Sequence, residues 1–184
     1  MIFASGSGSN AVKIYEYFKN NDQINIAGLY CNNSSAAVVT KFQKLKVNIV
    51  LFDKNELENS SVLKLLLKTD LSLIVLAGFL LKMPKKIVDH FENKIINIHP
   101  ALLPSYGGKG MYGMRIHKKV VENNELYSGL TIHYVNQEYD EGAAIFQKKI
   151  KLSKNETPET LSKKILSLEH SIYPGVIEKI LQNE

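Results

Sequence analysis

Short β-branched or apolar runs recur along the first half of the chain, and between successive runs lies a longer segment with amphipathic spacing. That alternation is the pattern of consecutive βα units, which bury their apolar faces as a parallel sheet covered by helices. The expected strands are Met1–Ala4, Ile24–Cys31, Val47–Phe52, Leu71–Leu76 and Ile95–His99. The expected helices are Asn10–Lys19, Ser35–Leu45, Asn55–Lys68 and Pro84–Phe91, the last opening on a proline, which suits a helix start. The fold class is therefore α/β, with a doubly wound, mostly parallel, Rossmann-like sheet.

After His99 the pattern changes. Pro100–Gly110 carries two prolines and three glycines and reads as an irregular loop. A short helix is expected at Ile116–Asn123, followed by a β-hairpin of Leu126–Val135 and Ala143–Leu152 joined through the polar segment Asn136–Gly142. Thr157–Gln182 reads as a closing helix with Thr157 as N-cap and Pro158 at its first position, and Pro174 is expected to kink or interrupt it. A length of 184 residues suits one core, so residues 1–184 are expected to form a single domain.

Composition narrows the function classes. Apolar residues make up 45% and charged residues 22%, which excludes a disordered chain. Cys31 stands alone, so no internal disulfide is available, and the opening residues do not resemble a secretory leader. The longest apolar run, Leu73–Leu81, is far short of the ~20 residues a membrane helix needs. A cytoplasmic protein without membrane contact is expected. A net charge of +5 raises nucleic acid and phosphorylated metabolites as partners. Arg115 is the only arginine, however, and the lysines are dispersed, so no nucleic-acid face is expected. His90, His117, His133 and His170 with Cys31 lack the close spacings of a zinc site, and no metal is expected.

Two segments point to chemistry. Ser5-Gly6-Ser7-Gly8-Ser9-Asn10 joins the first strand to the first helix, where glycines let backbone N–H groups approach an anion at the helix N-terminus. Gly6, Gly8 and Ala11 satisfy a loose G-x-G-x-x-A, but Cys31-Asn32-Asn33 stand where a ribose-binding acid would end the second strand, which counts against NAD. A purely structural tight turn remains the plain alternative. In Asn97-Ile98-His99-Pro100, residues two apart share a face, so the Asn97 amide and His99 imidazole converge at the carboxyl edge of the sheet, where ligands bind in open α/β folds. The acidic turn Tyr139-Asp140-Glu141-Gly142 could fold over the same edge. Taken alone, His133 reads as a structural strand residue and Glu169 as part of a solvated helix face.

Together with Leu76-Ala77-Gly78-Phe79, Pro100-Ala101-Leu102-Leu103-Pro104 and Glu169-His170-Ser171-Ile172-Tyr173-Pro174, these motifs resemble the phosphoribosylglycinamide formyltransferases. That family is the glycinamide ribonucleotide branch of the formyltetrahydrofolate-dependent formyltransferases. The resemblance implies transfer of a formyl group from 10-formyltetrahydrofolate, as co-substrate, to the amine of glycinamide ribonucleotide in purine biosynthesis. It also implies that Asn97, His99 and Asp140 are catalytic, that Gly8, Ser9 and Asn10 hold the substrate phosphate, and that Glu169 binds ribose hydroxyls. Leu80, Leu81, Lys82 and Met83, with Asn97, Glu138, Glu141 and Gly142, would frame the folate. These small molecules are the expected partners, with the chain acting as a monomer or homodimer.

Three positions depart from the family pattern. Leu81 stands where a basic residue is frequent, Asn55 where an arginine often lies near the folate glutamate, and Leu166 where a polar group often faces the substrate. Ser105–Arg115 is longer than in many members and carries no assigned role. A formyltetrahydrofolate hydrolase, another N-formyltransferase of the family and a non-enzymatic phosphate-binding module stand as alternatives. The first two commonly add a domain for which too few residues follow His99.

Overall fold

The computed structural model describes residues 1–182, and in them the β-branched runs form one seven-stranded sheet. β1 (Ile2–Ala4), β2 (Leu29–Cys31), β3 (Ile49–Leu51), β4 (Ile74–Leu76) and β5 (Ile95–His99) are parallel. β6 (Tyr127–Tyr134) and β7 (Ala144–Lys151) continue the sheet antiparallel, giving the order β3-β2-β1-β4-β5-β6-β7. The chain winds outward from β1 in one direction and from β4 in the other. Their carboxyl ends therefore splay into the crevice where such folds bind ligands. Ser5 N–H donates to the Gly78 carbonyl at 3.0 Å across that junction.

Period-two alternation splits the core into two layers. Ile2, Ala4, Leu29 and Ile96 face α1 (Ser9–Phe18), α2 (Ala37–Lys44), α6 (Met114–Glu122) and α7 (Pro158–Gln182). Phe3, Tyr30, Ile74 and Ile95 face α3 (Lys54–Glu58), α4 (Ser61–Leu66) and α5 (Lys85–His90). Fully burying one such aliphatic or aromatic side chain contributes roughly 1.5–3 kcal/mol.

The observed elements correct the sequence reading: β3 and β4 are shorter than the expected Val47–Phe52 and Leu71–Leu76, and three further differences have visible causes. The second strand is confined to Leu29–Cys31; at the expected start, the Gln23 and Ile24 N–H groups donate to Asn21 Oδ1 at 2.9 and 2.8 Å and form a local turn in competition with a ladder. The single helix expected at Asn55–Lys68 is two. Asp53 and Glu56 close a capping box at the first, and Ser60, with φ of 74°, breaks the chain before the second. α7 runs unbroken through Pro174, against the expected interruption. Proline there removes the bond to the His170 carbonyl, but its apolar face is held by α1, α6 and β6.

Candidate active site

The site begins at the turn between β1 and α1. Gly8 is the N-cap of α1 with φ of 68°, and no side chain caps the helix and no acidic residue stands in its first turn. The leading N–H groups and the positive end of the helix dipole are thus free to face an anion. A Cβ on Gly8 would lie 2.2 Å from Val38 Cγ2, so α2 packs directly on this turn. Ser5 Oγ donates to Asn32 Oδ1 at 2.6 Å and accepts from Leu80 N–H at 3.0 Å, tying the ends of β1, β2 and β4 together.

The turn opens into a cavity of about 690 Å³ at the carboxyl edge of the sheet. Asn97 and His99 line it from β5 and Asp140 from the β6–β7 connection. Asp140 Oδ1 lies 3.5 Å from His99 Nδ1 and 3.7 Å from His133 Nε2, and its Oδ2 accepts from Gly108 N–H at 2.9 Å. His99 Nε2 lies 2.8 Å from the Tyr106 carbonyl oxygen. Both ring nitrogens of His99 therefore face oxygen acceptors, and only a ring carrying both protons satisfies both. His133 Nδ1 donates to the Tyr134 carbonyl at 2.8 Å, which leaves Nε2 of the neutral ring to accept from Asn97 Nδ2 at 3.2 Å. The second Nδ2 hydrogen of Asn97 remains for a ligand.

Electrostatics follow from this packing. Burial works to raise the Asp140 carboxyl, but the His99 ring and the Gly108 N–H hold it well below the usual carboxylate range; His133, whose Nε2 accepts from Asn97, offers it no donor. Asp140 has φ of 58°, a left-handed conformation of the kind that clusters at functional sites. Glu169 of α7 is only 7% exposed, and burial pushes its carboxyl up to about 7 against the opposing pull of Asn10 and of His99. Asn10 Nδ2 donates to Glu169 Oε2 at 2.7 Å, while Asn10 Oδ1 is buried with no partner among the described residues. Burial, then the neighbouring His99, lowers the His117 pKa. Among the described residues no group of three His, Cys, Asp or Glu side chains is arranged to hold a metal.

Residues 1–177 match the sequence pattern of a family described as formyl transferase. The chain belongs to that formyl transferase family. It is 36% identical, over 98% of its length, to the chloroplastic phosphoribosylglycinamide formyltransferase of Arabidopsis thaliana, and 32% identical to phosphoribosylglycinamide formyltransferase of Bacillus subtilis (strain 168). It spans 64% of the plant protein and 93% of the bacterial one. The crystal structure of glycinamide ribonucleotide transformylase 1 from Geobacillus kaustophilus superposes with a TM-score of 0.88 at 30% identity, covering 98% of this chain and 96% of that one.

On this formyl transferase fold the expected residues converge unevenly. Asn97, His99 and Asp140 meet, and Gly8, Ser9, Asn10 and Glu169 line the same cavity, as do Leu80, Leu81, Lys82, Met83 and Glu138. Glu141 and Gly142 do not line it; a Cβ on Gly142 would lie 1.7 Å from the Tyr134 carbonyl oxygen, so this glycine lets the hairpin connection close against β6. Asn55 also stands outside the lining, whereas Leu166 is on it. Glu169 is buried rather than solvated, and His133, read from sequence as a structural strand residue, sits beside Asn97 and Asp140. Tyr106 and Gly108 had no sequence signal beyond a glycine-rich loop. The β5–β6 register that places His133 opposite Asn97 depends on a hairpin whose pairing no spacing rule reveals.

Proposed function

We propose that the chain transfers the formyl group of 10-formyltetrahydrofolate to the amine of glycinamide ribonucleotide, a step of de novo purine biosynthesis. The observation that carries this reading is the meeting of Asn97, His99 and Asp140 between an uncapped helix N-terminus and an apolar wall. Residues 1–184 would act as one domain in the cytoplasm, as a monomer or homodimer. No helix among the described residues is long and apolar enough to cross a membrane.

The wall fits the folate. Leu80, Leu81, Met83 and Val135 offer apolar surface for a flat heteroaromatic ring beside Asn97. When bound, 10-formyltetrahydrofolate supplies an activated formyl group. Asn97, anchored on His133, presents its second Nδ2 hydrogen to the formyl oxygen as the amine attacks the formyl carbon. His99 adds a charged donor, which must be drawn from the Tyr106 carbonyl toward the developing oxyanion. Preorganised donors of this kind contribute roughly 3–4 kcal/mol each to barrier lowering. Asp140 holds the His99 ring and its positive charge, and takes part in moving protons between amine and leaving nitrogen through the ring or a water. Gly8, Ser9 and Asn10 bind the substrate phosphate, and Glu169 accepts from ribose hydroxyls.

Donor turnover measured with and without glycinamide ribonucleotide tests the proposal. Folate product formed only when the amine is present is the expected result. Equal turnover without the amine would instead make the chain a hydrolase, and phosphate-ligand binding with no turnover would make it a binding module.

A further inference from the structure

The cavity carries a cation that the chemistry above leaves unused. Arg115 is the single arginine among 23 basic residues, and it lines the cavity from the first turn of α6. Its guanidinium carbon lies 4.9 Å from the centroid of the Tyr112 ring, which holds the planar group by cation–π contact. Neither Arg115 nor Lys109, a second exposed cation on the lining, makes an ion pair among the described residues.

Three further observations point the same way. α6 starts like α1: its N-cap is a glycine, Gly113, with no side-chain cap and no acidic residue in the first turn. Two uncompensated helix N-termini thus open on one space. His117, two positions beyond Arg115, is 4% exposed and on the cavity lining, and its Nδ1 has no partner among the described residues. Finally, Leu166, on the stretch of α7 that lines the same cavity, brings no charge to compete with Arg115.

We propose that Arg115, carried by the Ser105–Arg115 loop and the start of α6, clamps the phosphate monoester whose other side rests on Gly8, Ser9 and Asn10. The inference rests on the proposed substrate being phosphorylated. Two considerations select the phosphate over the carboxylates of the folate. Ile116 and Val120 of α6 belong to the core layer of α1 and α7, whereas Leu81 and Met83 belong to the opposite layer. Arg115 therefore stands on the phosphate-loop side of the cavity. Charge also matches: two helix ends of about half a charge each and one guanidinium balance a monoester of about −1.5 to −2, and would overcompensate a single carboxylate. A guanidinium engages two phosphate oxygens at once, which an ammonium does not.

Calorimetry with ribose 5-phosphate, on the full chain and on Arg115→Ala and Arg115→Lys, reads the clamp without requiring turnover. Ribose 5-phosphate and glycinamide ribonucleotide should bind the alanine variant about tenfold or more weakly, with a smaller loss for lysine. The KM for 10-formyltetrahydrofolate should stay within about twofold, and the dephosphorylated ribonucleoside should bind parent and variant alike. Arg115 is exposed, and a thermal melt checks that each variant is folded. Unchanged ribose 5-phosphate affinity in folded Arg115→Ala overturns the clamp, as does a loss confined to the folate KM. A parent chain that binds ribose 5-phosphate through Arg115 but formylates no glycinamide ribonucleotide would keep the clamp and defeat the proposed reaction.

Discussion

Burial raises the Glu169 carboxyl pKa even though Asn10, at the α1 N-terminus, donates to it. Its folded-state pKa of about 7 lies above the ordinary carboxyl value of 4.5, so the folded protein holds this proton more tightly than the unfolded chain does. Its contribution to stability is fully present below the unfolded value and is lost as pH rises through the folded one. The ceiling on that loss is about 3 kcal/mol. Glu169→Gln keeps an acceptor for Asn10 and should flatten the stability profile between about pH 4.5 and 7, the window these values bound, as read by urea unfolding across that range. An equally steep profile in the variant would assign the dependence to another group. Gly8 gives a second residue-scale prediction. Alanine there adds a left-handed backbone cost of about 1 kcal/mol to a clash with Val38, and should destabilise the fold by about 2–4 kcal/mol in the same experiment. The glycine was legible in sequence as a turn residue at a phosphate loop; its contact with α2 was not, because nothing in the spacing brings Val38 beside it.

Helix and strand identities were readable wherever periodicity is strong, and boundaries failed where a side chain competes with the backbone. Asn21 captures two N–H groups at the expected start of β2, and Ser60 divides α3 from α4 by entering a conformation that residue types other than glycine seldom adopt. The α7 N-terminus was read correctly: Thr160 N–H donates to Thr157 Oγ1 at 3.2 Å, and Pro158 follows at the first helical position. Thr157→Ala should therefore cost about 1 kcal/mol, seen as a lowered urea midpoint with an unchanged slope. A midpoint equal to the parent's would mean that the neighbouring Glu156–Lys164 pair, 2.6 Å apart, holds this end without the cap. Pro174 misled the reading of the same helix, since local propensity omits the packing of α7 on α1, α6 and β6.

At the scale of the molecule, the reversal of strand order between β1 and β4 creates the crevice, and loops from distant parts of the chain complete it. The α/β class followed from alternation alone. Asn97 and His99 were placed on one face by period two, but Asp140 reaches them through a hairpin whose register the sequence leaves open: the acidic turn could be brought to the same edge, and its role beside His99 came from the family resemblance. Tyr106 and Gly108, which orient His99 and Asp140, belong to a loop with no periodicity to read. The account stands on the claim that this edge stabilises the transition state of formyl transfer. The single-turnover rate of His99→Ala, with 10-formyltetrahydrofolate and glycinamide ribonucleotide both saturating, tests it most directly. A fall of about a hundredfold or more, with the affinity for each substrate little changed, is the predicted result. A near-parental rate in the folded variant would contradict the claim and reduce the Asn97, His99 and Asp140 cluster to a structural hydrogen-bond network.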